Sequence, residues 1–170
     1  FEPTYKQLSS YVDVNINGKY LQSHEWRLGV GLQQIDTLKN VFGTSVRTQA
    51  DNGPSFINSP LTYLEGEYGF LNGDNDQLVK SVYFQDIYSL TGNLDLSFNL
   101  RYDDYALFDE MFSYRLASVY RVSDNNILKA IYGRSYRVPS YVEAFQALQD
   151  GFKDGNPNLK PELIDTYELA

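Results

Sequence analysis

The segment Asn93–Asp103, NLDLSFNLRYD, carries the clearest strand pattern in this chain. Apolar and polar residues alternate along it without a break: Leu94, Leu96, Phe98, Leu100 and Tyr102 against Asp95, Ser97, Asn99, Arg101 and Asp103. Because successive side chains of a strand point to opposite faces, the pattern predicts a strand with one apolar and one polar face. Its length matches the roughly 9–11 residues that a tilted strand needs to cross a bilayer. A membrane-barrel strand and a surface strand of a soluble sandwich both fit this segment.

The composition narrows the classes of function. The chain of 170 residues has no cysteine and a single histidine, His24, which leaves little for thiol or imidazole metal sites or for triad catalysis. Its net charge of −8 argues against a nucleic-acid surface, which needs a basic stripe. The 15 tyrosines are consistent with the aromatic girdles of a membrane barrel, although a tyrosine-rich soluble β-protein would have the same composition. The sequence contains no apolar run of about 18 residues, so it predicts no transmembrane helix.

Further alternating segments predict more strands. They are Leu8–Ile16, Trp26–Gln33, Lys80–Leu90, Ser113–Val122, Leu128–Gly133 and a last strand that starts near Glu162. Between Asp36 and Val79 the pattern dissolves. The first turn stays open: Asn17-Gly18 is a strong hairpin signal, but the strand also fits if it continues through Leu21 and turns at Gln22–His24. Tyr141–Leu148 fits two helical turns inside a loop.

One residue breaks the alternation. In Lys80–Leu90, the acidic Asp86 falls on the same face as the apolar residues Val82, Phe84, Tyr88 and Leu90. The connections between the predicted strands are alternately short and long, with short turns at Thr91 and Ser123 and long loops after Asp36 and Arg137. A membrane barrel has short turns on one rim and longer loops on the other, so this alternation favours a barrel over a sandwich.

Two motifs near the C-terminal end carry a family resemblance. The segment YGRSYRVPS, residues Tyr132–Ser140, is followed by NPNLKPE, residues Asn156–Glu162. With VYFQDIYSLTGNLDLSFNLRYDDY and FSYRLASVYRVSDN before them, they resemble, in the same order, the barrel domain of TonB-dependent outer-membrane receptors. The resemblance is strong from Val82 to Leu169 and loose in the N-terminal half, mainly through NGKYLQSHEWRLGVG.

The resemblance implies an all-β fold, an antiparallel transmembrane β-barrel of about 22 strands with a separate plug domain in its lumen. We expect residues 1–170 to be a fragment of that barrel domain with about seven strands, and the plug domain to lie outside this chain. The implied partners are an iron chelate or similar small-molecule ligand, the TonB energy-coupling protein acting through segments outside this chain, and outer-membrane lipid. The implied location is the outer membrane of a Gram-negative bacterium. We predict no nucleic-acid partner, no cofactor, no metal site and no enzymatic activity.

Candidate ligand-binding residues cluster around the loop between the two motifs. Aromatic rings and cations suit an anionic ferric chelate, and the set is Arg134, Tyr136, Arg137, Tyr141, Phe145, Phe152 and Lys153. Arg134 and Arg137 also fit ion pairs with Asp103, Asp104 or Glu162. The charged residues of the predicted polar faces are expected to form a wetted inner wall: Asp95, Arg101, Arg115, Arg121 and Lys129.

The ligand itself stays open. The two motifs resemble the boxes around the ligand loop of haem receptors, which place a histidine between them. Here the polar residues between them are Tyr141, Glu143, Gln146, Asp150, Lys153 and Asp154. The lack of a histidine favours a ferric siderophore over haem as the transported ligand. The alternatives are a passive porin-like barrel and a soluble β-sandwich adhesin or carbohydrate-binding module. We predict that His24, beside Glu25, is a turn residue at the rim.

Overall fold

The computed structural model describes residues 2–44, 47–49, 53–55, 61–65, 69–73, 75–146 and 155–170. It is an all-β structure with one short helix. The elements in chain order are β1 Glu2–Tyr20, β2 His24–Thr44, β3 Arg47–Gln49, β4 Gly53–Ser55, β5 Thr62–Glu65, β6 Gln77–Thr91, β7 Leu94–Tyr105, β8 Met111–Ser123, β9 Asn126–Arg137, α1 Tyr141–Phe145 and β10 Glu162–Leu169.

Seven of these strands follow one another in a single open sheet, in the order β1-β2-β6-β7-β8-β9-β10. The prediction of an antiparallel fragment of about seven strands is therefore confirmed. From β6 to β10 each strand is antiparallel to its neighbour in the sequence, because short turns or single loops join them. The short strand β5 pairs with the end of β2, and β3 and β4 form a separate two-stranded sheet.

The register confirms the two faces predicted for β7. Leu96 lies opposite Tyr88 of β6 and Ser118 of β8, and Leu100 lies opposite Phe84 and Tyr114. We call the face with Leu96 and Leu100 the apolar face and the opposite one the polar face. Paired residues of neighbouring strands share a face, so the apolar face continues from β6 to β9.

The apolar face is open in the described part of the chain. On β1, for example, Val12 and Val14 are 63% and 61% exposed. A soluble sandwich would cover such residues with a second sheet, whereas a membrane barrel turns them toward lipid. In the described residues, no helix is both long enough and apolar enough to cross a membrane.

The sequence left open whether β1 turns at Asn17-Gly18 or continues through Leu21, and the structure shows the longer strand. β1 continues to Tyr20 and turns at Leu21–Ser23, where Leu21 and Gln22 adopt positive φ angles of 51° and 56°. The Asn17-Gly18 pair lies inside the strand. A Cβ atom at Gly18 would stand 2.9 Å from the ring of Trp26, so this glycine makes room for the indole and does not turn the chain.

The sequence prediction ended β2 too early. The strand continues to Thr44, and Val41–Thr44 pair with β5. The region after Asp36, in which the sequence shows no alternation, therefore begins as a strand. The physical reason is that alternation is imposed only where one face meets lipid. A strand that projects beyond the membrane has no such constraint on its composition.

The chain divides into two compact units, which we describe separately. The first unit contains Phe1–Ser10, Gln34–Gln77 and Pro139–Lys160. The second unit contains Tyr11–Gln33, Leu78–Val138 and Pro161–Ala170. The second unit holds the alternating strand segments, and the first holds α1 and the β5 pairing.

Candidate functional site

In the second unit, Asp103 is the centre of a buried polar cluster. Its side chain is completely buried, and each carboxylate oxygen accepts several hydrogen bonds. Arg101 donates from Nε to Oδ2 at 2.7 Å and from a terminal nitrogen to Oδ1 at 2.7 Å. The Ser81 hydroxyl donates to Oδ1 and the Tyr136 hydroxyl to Oδ2, both at 2.5 Å. A buried charge held by an opposite charge and several donors keeps its neighbours in one arrangement, because loss of any partner is costly.

The candidate Tyr136 is therefore one of the groups that hold Asp103. Its ring also stands edge-on to Tyr105, with centroids 6.1 Å apart, and the two hydroxyls are hydrogen-bonded at 3.2 Å. Asp103 was one predicted partner of Arg134 or Arg137, but the structure pairs it with Arg101. Strand register explains the difference, because Arg101 lies two residues away on the same face of β7.

The two candidate arginines of β9 form ion pairs with β10. Arg137 binds both carboxylate oxygens of Glu162 at 3.0 Å, which is one of the pairs that the sequence offered. Arg134 binds Asp165 through two hydrogen bonds of 2.8 Å, a partner that the sequence analysis did not name. Arg134 lies opposite Tyr114 of β8 and so shares the apolar face.

In the first unit, the candidates Tyr141 and Phe145 lie at the two ends of α1. The helix begins with a capping box, in which Ser140 accepts a hydrogen bond from the Glu143 backbone and the Glu143 side chain accepts one from the Ser140 backbone. The Tyr141 ring stands 6.2 Å from Phe145 and 6.4 Å from Tyr5, measured between centroids. The two candidate rings are therefore neighbours.

The Tyr141 hydroxyl is anchored and shielded. It donates a hydrogen bond of 2.6 Å to Oε1 of Gln77, a residue that is almost fully buried. Burial raises the pKa of this hydroxyl to about 12, with smaller contributions from the neighbouring Tyr5 and from the charge of Asp76. The group therefore stays protonated at physiological pH and acts as a donor. The role of Gln77 was not predictable from the sequence, since no local pattern connects it with Tyr141.

The segment before β6 holds α1 in place within the same unit. Leu71 is completely buried and forms a β-bridge with Gln146, and the Asn72 amide donates to the Phe145 carbonyl at 2.6 Å. The Asn40 side chain clamps this segment, because it donates to the Leu71 carbonyl at 2.7 Å and accepts from the Leu71 amide at 2.8 Å. The base of the candidate loop is thus packed and hydrogen-bonded.

Phe152 and Lys153 lie outside the described residues. Of the seven candidates, the structure therefore describes five, and it places Tyr141 beside Phe145 in the first unit and the β9 residues in the second. Within the described ranges no three His, Cys, Asp or Glu side chains come together as metal ligands. His24 begins β2 at the end of the first turn, where Nδ1 is 2.8 Å from Oδ2 of Asp86.

The polar face of the second unit contains a closely packed wall. The hydroxyls of Tyr83 and Tyr11 donate to the two carboxylate oxygens of Asp13 at 2.9 and 3.0 Å. The rings lie over glycines of β2: a Cβ atom at Gly29 would stand 2.2 Å from the Tyr83 ring, and one at Gly31 would stand 3.0 Å from the Tyr11 hydroxyl. The glycines are needed because the rings occupy the space of their side chains.

This packing predicts the effect of a single methyl group. Gly29→Ala should destabilise the intact barrel by about 1–3 kcal/mol, since the Tyr83 ring must move and lose its hydrogen bond to Asp13. Gly92→Ala is the matched control, because nothing lies within 4 Å of its added Cβ. Urea-dependent unfolding of both variants, followed by heat-modifiable mobility, checks the prediction. Equal midpoints for the two variants would show that the Tyr83 position is not constrained.

The long antiparallel strands, the open apolar face and the alternating short and long connections define a transmembrane β-barrel. Comparison with known proteins identifies its family. A family model described as the β-barrel of TonB-dependent receptor-like proteins matches residues 2–170, so the chain belongs to this family. The comparison with curated proteins found no match.

The solved structures that resemble the chain include two receptors. One is the siderophore receptor PirA from Acinetobacter baumannii, with a TM-score of 0.60 and 19% identity over 96% of this chain. The other is the ferric enterobactin receptor PfeA in complex with BCV-L6, with a TM-score of 0.62 and 16% identity over 97% of this chain. The chain spans 24% of each of those chains, so it corresponds to about a quarter of their length. At these identities the likeness establishes the fold.

Proposed function

We propose that this chain is part of an outer-membrane receptor that imports a scarce, bulky ligand with energy from the TonB coupling protein. The observation that carries the proposal is the family match, which extends over nearly the whole chain. The receptor lies in the outer membrane of a Gram-negative bacterium. The chain supplies about seven of about 22 barrel strands. A plug domain and the segment that contacts the coupling protein lie elsewhere in the receptor.

The proposed ligand is a ferric siderophore. Two observations support this choice: the two similar solved structures carry the names of a siderophore receptor and a ferric enterobactin receptor, and the segment between the two sequence motifs lacks the histidine that haem receptors place there. Ferric siderophores are commonly anionic and contain flat aromatic or amide-rich groups. Such ligands suit a site of aromatic rings and cations, because rings offer flat contact area and cations offer charge-assisted hydrogen bonds.

We place ligand capture on the loop that contains α1. Tyr141 and Phe145 contribute neighbouring rings whose base is held by packing and hydrogen bonds. Phe152 and Lys153 follow on the same loop and would add a ring and a cation. On β9, we propose that Tyr136 and Arg137 contact the ligand after capture, in addition to their bonds to Asp103 and Glu162. Arg134 was predicted with them, but it pairs with Asp165 on the apolar face, away from the lumen, so it is not part of the proposed site. A rigid scaffold that presents such side chains on a loop is a common design for binding.

Energy-dependent uptake tests the proposal. The intact receptor should be expressed in an iron-starved strain without its own siderophore receptors, with and without a functional TonB protein. We expect uptake of radioactive iron from at least one siderophore of a catecholate, hydroxamate and carboxylate panel, and no uptake without TonB. Uptake that is equal in both strains would indicate a passive porin. Uptake of haem or cobalamin but of no siderophore would contradict the proposed ligand class.

A further inference from the structure

The side chain of Asn40, on β2, binds the backbone of residues 69–73, which we call the clamped segment. Its oxygen accepts a hydrogen bond of 2.8 Å from the Leu71 amide, and its nitrogen donates to the carbonyls of Leu71 at 2.7 Å and Gly73 at 2.9 Å. Asn40 is 5% exposed and Leu71 is fully buried, so water does not compete for these bonds. The contact needs an amide, because an aspartate has no donor and an aliphatic side chain has neither donor nor acceptor.

Gly69 brings the clamped segment against Asn40 at a second point. A Cβ atom at Gly69 would stand 2.6 Å from the Asn40 backbone oxygen and 2.7 Å from its side-chain oxygen. A residue without a side chain is required where two backbones approach this closely. The contact between β2 and the clamped segment is therefore specified by two residues, one on each side.

The clamped segment in turn holds the C-terminal end of α1. Leu71 forms a β-bridge with Gln146, and the Asn72 amide donates to the Phe145 carbonyl at 2.6 Å. Phe145 is the last residue of the helix and one of the two aromatic residues proposed to capture the ligand. A helix of five residues is not stable by itself, so the position of α1 depends on such tertiary contacts.

Two further hydrogen bonds hold α1 to the residues that follow its loop. The Gly155 amide donates to the Gln146 carbonyl at 2.7 Å, and the Asn156 amide donates to the Glu143 carbonyl at 2.9 Å. A Cβ atom at Gly155 would stand 2.6 Å from the Gln146 nitrogen, so this contact is also closely packed. The helix is thus bound both by the clamped segment and by Gly155 and Asn156.

We propose that Asn40 is a positioning residue for ligand capture. Through the clamped segment it holds α1, with Tyr141 and Phe145, in the binding arrangement before the ligand arrives. The proposal rests on the proposed capture role of this loop. Ordering a loop during binding costs affinity, and a site that is already ordered avoids this cost. If the ordered arrangement is present for only part of the time, the apparent Kd rises by the inverse of that fraction.

Hydrogen exchange of the ligand-free, intact receptor in detergent tests the preformed arrangement. We expect the amides of Asn72, Gly155 and Asn156 to exchange about tenfold or more slowly than exposed loop amides, because each of them donates to a backbone carbonyl. Asn40→Asp should remove this protection, since a carboxylate cannot donate to the carbonyls of the clamped segment. Fast exchange in the wild type would overturn the proposal, and so would unchanged protection in Asn40→Asp.

Uptake kinetics separate positioning from a purely structural role. The probe is radioactive iron in the chelate of the catecholate, hydroxamate and carboxylate panel that the wild-type receptor imports fastest. Asn40→Asp should raise KM about tenfold at an unchanged maximal rate per surface receptor, as expected if the ordered arrangement is present about a tenth of the time. Gln34→Ala is the matched control and should leave KM unchanged, because its side-chain amide bonds to Asp36 of its own strand at 2.7 Å.

A second variant reaches the same contact by another route. Gly69→Ala should also raise KM, because its Cβ atom displaces Asn40. An unchanged KM in both Asn40→Asp and Gly69→Ala, or an equal rise in Gln34→Ala, would contradict the positioning role. Loss of surface receptor at an unchanged KM would show that Asn40 serves only folding and would also contradict it. A wild-type receptor that imports no chelate of the panel would contradict the proposed function, while the exchange measurement still tests the preformed arrangement.

Discussion

Deletion of residues 140–154 from the intact receptor should reduce ligand uptake to the level of a strain without the receptor. The deletion removes α1 with Tyr141 and Phe145, and also Phe152 and Lys153, which together provide the rings and the cation proposed to capture the ligand. Barrel assembly should persist, because a solvated loop can be shortened without exposing backbone groups to lipid. Uptake of the radioactive ferric siderophore, divided by surface abundance of the receptor, measures the effect.

Two point variants separate capture from loop structure. Phe145→Ala should weaken ligand binding at least tenfold if its ring contacts the ligand, a typical effect for an aromatic anchor. Val142→Ala is the control on the same helix, since the Val142 side chain is exposed and is not a candidate. If the deleted receptor reaches the outer membrane and imports at the wild-type rate, this loop is not the capture site. An equal loss in Val142→Ala would indicate damage to α1 instead.

Leu96→Arg should destabilise the intact barrel by about 2–4 kcal/mol if Leu96 lies near the bilayer midplane. Leu96 is in the middle of the apolar face, opposite Tyr88 and Ser118, so the guanidinium would have to enter hydrocarbon. Ser97→Arg places the same side chain one residue further along β7, on the polar face opposite Ile87 and Ala117, and should cost far less. The measurement is the free energy of unfolding in lipid vesicles, and equal losses in the two variants would contradict the assignment of faces.

Much of the sheet was predictable because lipid imposes a pattern on the sequence. Where one face meets hydrocarbon, as from Leu94 to Tyr102, apolar and polar residues must alternate, and strand and face follow directly from the sequence. The same argument shows where prediction fails. β2 reaches Thr44 and β6 begins at Gln77, and both ends lie beyond the segments that alternate. In these ends the residue pattern does not indicate a strand.

Contacts between distant strands were not predictable from the sequence alone. His24 meets Asp86 because β2 and β6 are neighbours in the sheet, although β3, β4 and β5 lie between them among the described residues. Asp103 joins Ser81, Arg101 and Tyr136 from three strands, which requires knowledge of the register between them. Tyr141 was singled out as an aromatic residue of a loop, but its bond to Gln77 depends on the fold of the first unit.

Site-directed spin labelling of β7 tests whether this chain crosses the membrane with its apolar face in lipid. Residues 1–170 contain no cysteine, so within them each introduced cysteine is the only labelled site, and any cysteine elsewhere in the receptor is replaced first. In the intact receptor in vesicles, single cysteines from residue 94 to 102 should be compared for collisions with oxygen, which partitions into lipid, and with a water-soluble nickel chelate. We expect a period of two, with oxygen maxima at Leu96, Phe98 and Leu100. Accessibility without this period, or nickel maxima at these three positions, would contradict it.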